Sequence, residues 1–153
     1  RRREEGKNTM MDIRRIDDIL SVSPQITPED VATLAAAGFK AIINNRPDDE
    51  EPGQPTGDAI RAAAEAAGLG YTAIPVTHAG FSHPQIAAMR AALAEAGGPV
   101  FAYCRSGTRS CNLWALSVAS AGEAPDAIQG KAAGAGYDLT GLRPLLDQLA
   151  GQA

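Results

Sequence analysis

"FAYCRSGTRSCNLWAL", residues 101–116, holds both cysteines of the chain and two of its arginines. Its first residues are apolar and β-like, and its last are apolar at helical spacing. Between them lie a glycine, two arginines, two serines and a threonine around Cys104. Such a composition makes poor core but a good nest for an anion. A buried strand that runs through a glycine turn straight into a helix is the repeating joint of an α/β sheet, so the stretch asks whether its neighbours alternate in the same way.

They do. "IRRIDDILSV" reads as an opening strand or hairpin. Thr27-Pro28-Glu29-Asp30 supplies an N-cap hydroxyl, a proline at the first helical position and acids in the first turn. Val31, Leu34 and Ala35 share a helical face, and Gly38 is placed to end that helix. "FKAIINN" is a buried strand, "DAIRAAAEAAG" a helix and "YTAIPV" a strand. Ser82 and Gln85 form a capping box that opens "HPQIAAMRAALAEAG", with Ile86, Met89 and Leu93 on one face. "PVFAYC" is the next strand, and "NLWALSVASAG", "APDAIQGKAAG" and "LTGLRPLLDQLA" close the chain as helices. The expected fold is α/β, a mostly parallel central sheet flanked by helices, with a ligand site at the carboxyl ends of the strands.

A chain of 153 residues is long enough to bury a core, and residues 11–153 are expected to form a single domain. Residues 1–10, "RRREEGKNTM", have no apolar run behind them and read as a disordered arm or a remnant ahead of a start at Met10 or Met11. The net charge of -4 argues against a nucleic-acid binder, whose surface should be basic. No run of about 18 apolar residues is present, so no membrane partner is expected. Two cysteines seven positions apart do not resemble a secreted disulfide framework, and a cytoplasmic address is expected. No His/Cys/Asp spacing suggests a metal, and no cofactor is implied.

The loop's chemistry follows from its residue types. Gly107 permits a tight turn, backbone N–H groups of residues 105–110 can point inward, and the following helix adds its positive end. Arg109 can reach back as a planar, two-pronged clamp. Together these stabilise a thiolate at Cys104, a nucleophile beside a cradle for a tetrahedral oxyanion built from Arg105, Ser106, Gly107, Thr108 and Ser110.

Cys104-Arg105-Ser106-Gly107-Thr108-Arg109-Ser110 resembles the active loop of rhodanese-type sulfurtransferases, C-R-x-G-x-R-S. It is also similar to the loop of protein tyrosine and dual-specificity phosphatases, H-C-x-x-G-x-x-R-S/T. From that second pattern it departs twice: Tyr103 replaces the histidine, and the arginine arrives one residue early. Among rhodanese relatives a short loop implies sulfur and a longer one phosphate or arsenate. "INNRPDDEEPGQP", "YTAIPV", "YCRSGTRSCNLWAL" and "AAGAGYDL" together resemble a bacterial phosphatase-like family associated with β-lactamase-hydrolase-like proteins, over nearly all of residues 11–149. That resemblance implies a dual-specificity-phosphatase-like fold, leaves phosphatase and sulfurtransferase both open, and suggests a neighbouring β-lactamase-like hydrolase as partner.

A phosphatase of this mechanism needs a general acid before the nucleophile. "IPVTHAGFSHP" holds no aspartate, but His78 stands near the right place, and His83 reads as a histidine at a helix start. Asp48, in a stretch matching the family pattern N-x-R-P-D-x-E, is the other candidate, acting as acid or orienting Arg46 at the pocket rim. Asp49, Glu50 and Glu51 read as solvated surface. Cys111 either resolves an oxidised Cys104, accepts its sulfur, or simply packs. Sulfur transfer needs no acid, so the expected activity is a Cys104-dependent sulfurtransferase acting on thiosulfate or a persulfide. The alternative is a cysteine-dependent phosphatase acting on a phosphate ester, and a third class is a non-catalytic anion-binding module.

Overall fold

The computed structural model describes residues 11–153, so the expected N-terminal arm lies outside the described residues. Within them the caps form as their residue types dictate. The Thr27 side chain accepts from the backbone of Asp30, whose carboxylate accepts in return from Thr27 N, and helix α1 (Pro28–Ala36) starts there. The Ser82–Gln85 pair opens α3 (His83–Glu95) in the same reciprocal way. Gly38 takes φ 100°, the left-handed turn that ends α1 at little steric cost.

Among the described residues five strands form one sheet: β1 (Arg14–Arg15), β2 (Leu20–Ser23), β3 (Ala41–Asn44), β4 (Gly70–Ala73) and β5 (Val100–Tyr103), in the spatial order β1-β2-β5-β3-β4. The opening pair is an antiparallel hairpin and every other pairing is parallel. Period-two alternation sorts the strand residues between two cores. Ile42, Phe101 and Tyr103 face α1 and α2 (Gly57–Ala66), packing with Val31, Leu34, Ile60 and Ala64. Val22, Ile43, Val100 and Ala102 face the other layer, with Met89 of α3, Leu113, Trp114 and Leu116 of α4 (Thr108–Ser120), Ile128 of α5 (Pro125–Gly134) and Leu146 of α6 (Arg143–Gly151). Each fully buried aliphatic or aromatic chain here contributes about 1.5–3 kcal/mol.

Two boundaries differ from the sequence reading. Helix α4 begins at Thr108, ahead of Asn112, because the loop itself supplies its first turn. "LTGLRPLLDQLA" splits into a 3-10 turn, Thr140–Leu142, and α6, whose first turn holds Pro144. A proline there has no N–H to bond the preceding turn. Among the described residues no helix is long and apolar enough to cross a membrane.

Candidate active site

The parallel strands β3, β4 and β5 stop together, at Asn44, Ala73 and Tyr103, and the segments that leave them converge. The convergence is held by backbone: Asn45 N donates to Tyr103 O at 2.8 Å, and Val76 N donates to Asn45 O at 3.0 Å. The buried Asn45 side chain donates to Ile74 O at 2.9 Å. The result is an open cleft of about 430 Å³ lined by Pro47 and Glu50 from the first segment, Thr77 and His78 from the second, and Arg105 and Arg109 from the third.

Cys104 is the first residue after β5 and is fully buried. Its backbone N–H continues the sheet by donating to Ser23 O, while its sulfur accepts the Gly107 N–H at 3.1 Å. Gly107 itself sits at φ 89° as the N-cap of α4. A side chain there would be strained by its backbone and would overlap the Tyr137 hydroxyl. Ser106 Oγ accepts from Thr108 N at 3.4 Å and pairs with Thr108 Oγ1 at 3.1 Å, tying the outer side of the loop to itself. Ser110 Oγ is buried with no hydrogen-bond partner among the described residues.

Arg109 bends back as the sequence predicts, but it is already held by a carboxylate. Its Nη1 and Nη2 donate to Glu50 Oε2 at 2.7 Å and Oε1 at 2.8 Å, and Nη1 also donates to Val76 O at 2.8 Å. Of the five guanidinium donors these engage three, leaving Nε–H and one Nη2–H, which together make a two-pronged fork. Glu50 holds Arg109 firmly in the charged form, against partial burial, and the nearby Cys104 sulfur adds to this. In return the hydrogen bonds from Arg109, aided by Arg46, hold the Glu50 carboxyl at about 2 against partial burial. Glu50 is therefore no solvated surface acid. Its side chain is 21% exposed and bridges two arginines.

Arg46 is corrected as well. Rather than sitting at the rim, it is 4% exposed, donating to Glu50 at 2.8 Å, Gln25 at 3.0 Å and Glu51 at 2.9 Å. It orients Glu50; Asp48 does not orient it. Asp48 points elsewhere: its carboxylate accepts from Gly57 N at 2.8 Å at the start of α2 and lines a smaller cleft with Asn44, Gly57 and Tyr71. Asp49, beside it, takes φ 63°, a turn conformation short polar residues tolerate.

His78 lines the main cleft and is exposed, whereas His83 opens α3 outside it. Arg105 is largely exposed and lies 3.5 Å from Glu51. Cys111 is fully buried in the core beneath α4, and burial, with the charge of Cys104 adding to it, pushes its thiol up to about 12. Its side chain joins the core cluster with Leu113 and Trp114. Tyr103, standing where the phosphatase pattern has histidine, is buried against α1 and α2 with its phenol pushed up by that burial.

Sequence reasoning missed two residues. Glu50 had a signal, its position four residues after Arg46. Tyr137 had none beyond its place in "AAGAGYDL"; its hydroxyl donates to Ser106 O at 3.2 Å, on the back of the loop.

The family model for the β-lactamase hydrolase-like protein, phosphatase-like domain matches residues 12–121. A β-lactamase hydrolase-like protein from Agrobacterium fabrum is 46% identical over 105 residues, covering 69% of this chain and 24% of its own length. The chain thus spans about a quarter of that curated relative. A crystal structure solved as a candidate phosphatase from Neisseria meningitidis is 38% identical with a TM-score of 0.77, covering 90% of this chain and 97% of that one. Tk-PTP in its active form has a TM-score of 0.71 at 19% identity, covering 92% and 97%, and shares the fold. The fold is the phosphatase-like α/β fold expected. This chain belongs to the phosphatase-like domain family of β-lactamase hydrolase-like proteins.

Proposed function

We propose that the chain is a cysteine-dependent phosphatase that cleaves small phosphate monoesters through a Cys104 phosphocysteine. The observation that supports this best, on a chain of this family, is the Arg109 fork. Glu50 and Val76 O fix three of its donors and leave two for an anion, with the Cys104 sulfur near enough to favour the charged guanidinium. In the reaction the thiolate sulfur bonds to phosphorus, the bond from phosphorus to the ester oxygen breaks, and the leaving alkoxide takes a proton. Water then attacks the phosphocysteine, releasing inorganic phosphate and the thiolate.

Two of the acids near the loop are unable to supply that proton. Glu50, held at about 2, is an anion at neutral pH, and Asp48 is committed to Gly57 N outside the cleft. Of the described side chains lining the cleft, His78 is the imidazole, the side chain most often used for general acid catalysis, and Glu50 is the one carboxylate. Because the chain spans about a quarter of a relative named for a β-lactamase-like hydrolase, we further propose that it works alongside such a hydrolase.

Rhodanese-type sulfur transfer from thiosulfate or a persulfide is the second reading. It is favoured by the four residues between Cys104 and Arg109, one fewer than the phosphatase pattern, and by the lack of an uncommitted carboxyl among the described residues lining the cleft. One set of assays separates the two. Release of phosphate from aryl and alkyl monoesters is measured for the parent, Cys104→Ser and His78→Gln. The phosphatase reading expects no turnover in Cys104→Ser. It expects His78→Gln to lose about 100-fold on alkyl esters, whose leaving groups need the proton, and far less on p-nitrophenyl phosphate. Absence of Cys104-dependent hydrolysis, with thiosulfate adding one cyanide-removable sulfur to Cys104, would establish the second reading instead.

A further inference from the structure

The Ser106–Gly107 peptide is gripped on both edges. Its N–H donates to the Cys104 sulfur at 3.1 Å, and its C=O accepts from the Tyr137 hydroxyl at 3.2 Å. A peptide unit is planar and trans, so its N–H and C=O point in opposite directions. Whatever fixes the carbonyl therefore fixes where the N–H aims. With a glycine on its C-terminal side, this peptide can turn over at low steric cost. Turned over, it would present a carbonyl oxygen to the nucleophile.

We propose that Tyr137 is a positioning residue for the nucleophile: its hydroxyl locks the Ser106–Gly107 peptide with the N–H on Cys104. The hydroxyl also polarises the amide it bonds, which strengthens the donor at the other edge. The proposal rests on Cys104 being the nucleophile of the reading above.

The surroundings of Tyr137 suit the task. Tyr137 N donates to Ala132 O at 2.9 Å, anchoring the residue at the end of α5. The Arg14 guanidinium lies 5.6 Å from the ring centroid, and its Nη1 donates to Ala135 O at 3.1 Å, bracing the ring from the β1 side. The titratable groups acting on the phenol are Arg14, Asp12, Cys104 and Cys111. Burial dominates among these influences and pushes the phenol up to about 12, so it keeps its proton across the working range. On the loop side, a Cβ at residue 107 would overlap this hydroxyl, so glycine there makes room for the latch as well as for the turn.

The test is the rate of iodoacetamide labelling of Cys104 in the full chain, followed by mass spectrometry from pH 5 to pH 10. It compares the parent with Tyr137→Phe and Tyr137→Met. Tyr71→Phe, whose lost hydroxyl accepts from Asn44 rather than bonding the loop, is the control. Phe keeps the ring and its packing on Arg14; Met is a second side chain without a hydroxyl. Both are expected to label more slowly at the acid end by roughly 3- to 10-fold, the effect of one hydrogen bond. Rates should converge with the parent at the alkaline end, and Tyr71→Phe should match the parent throughout. Parental rates in both variants, faster labelling, or an equal slowing at both ends of the range would overturn the proposal. Labelling needs no turnover, so the result stands apart from whether the chain proves to be a phosphatase.

Discussion

Replacing Glu50 by Gln keeps the shape of the side chain and removes the charge that Arg46 and Arg109 share. The structure sets the size of the effect. A carboxyl at 4.5 in the unfolded chain and about 2 in the folded one is ionised more readily in the native state. A shift of that size corresponds to about 3 kcal/mol at neutral pH, which partial exposure at the cleft trims toward about 2 kcal/mol. The sign follows from the direction. The folded value is depressed, so the stabilisation is complete above 4.5 and is lost as pH falls toward about 2. Glu50→Gln should therefore be less stable than the parent by about 2–3 kcal/mol at pH 7. Arg46, nearly fully buried, would keep Glu51 and Gln25 but lose its shortest ion pair. The difference should shrink steadily below pH 4.5 and nearly vanish near pH 2. Urea unfolding followed by the fluorescence of Trp114, the single tryptophan and buried in α4, measures this at each pH. A variant within about 0.5 kcal/mol of the parent at pH 7, or a gap that stays constant from pH 7 to pH 3, would refute the ion-pair argument.

Two further substitutions, one in this cleft and one in the smaller cleft beside it, test the assigned roles. Arg109→Lys keeps the charge but replaces the planar fork by a point charge that cannot serve Glu50, Val76 O and an anion at once. Its kcat/KM for a phosphate monoester is expected to fall by about 100-fold or more, and a value within tenfold of the parent would show that orientation of the guanidinium is unimportant. Asp48→Asn leaves a side-chain oxygen to accept from Gly57 N, so stability should change by less than about 1 kcal/mol and turnover by less than about threefold. A loss of turnover with alkyl esters as large as that of His78→Gln would return Asp48 to the role of general acid.

Much of this architecture can be read from short-range rules. The reciprocal caps at Thr27–Asp30 and Ser82–Gln85 are local, and each appears at the residues its spacing predicts. The strands leading to Asn44 and Tyr103 follow from apolar runs bounded by turn residues. The Cys104 loop follows from a composition that no core would accept. What could not be read is what depends on partners distant in sequence. Asp48, Asp49, Glu50 and Glu51 are four consecutive acids that look alike in the chain, yet one caps a helix nine residues on and another bridges to Arg109, 59 residues away. Their different fates are decided by the turn at Asp49 and by which segments the sheet brings alongside, neither of which has a periodic signature. Tyr137 meets Ser106 across 31 residues by way of two helices, so its part in the loop emerges only once α4 and α5 are packed.

The two long-range contacts missing from the sequence reading act on opposite sides of one loop, and that division bears on how a shortened loop can still function. Removing a residue between Cys104 and Arg109 shrinks the nest and leaves fewer inward amides to share an anion's charge. Here two of the remaining donors are separately braced. Arg109 is fixed from the β3 side by Glu50, itself fixed by the buried Arg46. The Gly107 amide is fixed from the α5 side by Tyr137, itself braced by Arg14. Donors that are already oriented lose little freedom when an anion arrives, so a few preorganised groups can match the effect of a larger but looser set. On this argument loop length alone is a poor guide to which anion is bound. What matters is how rigidly the fork of Arg109 and the amide of Gly107 are held relative to the Cys104 sulfur.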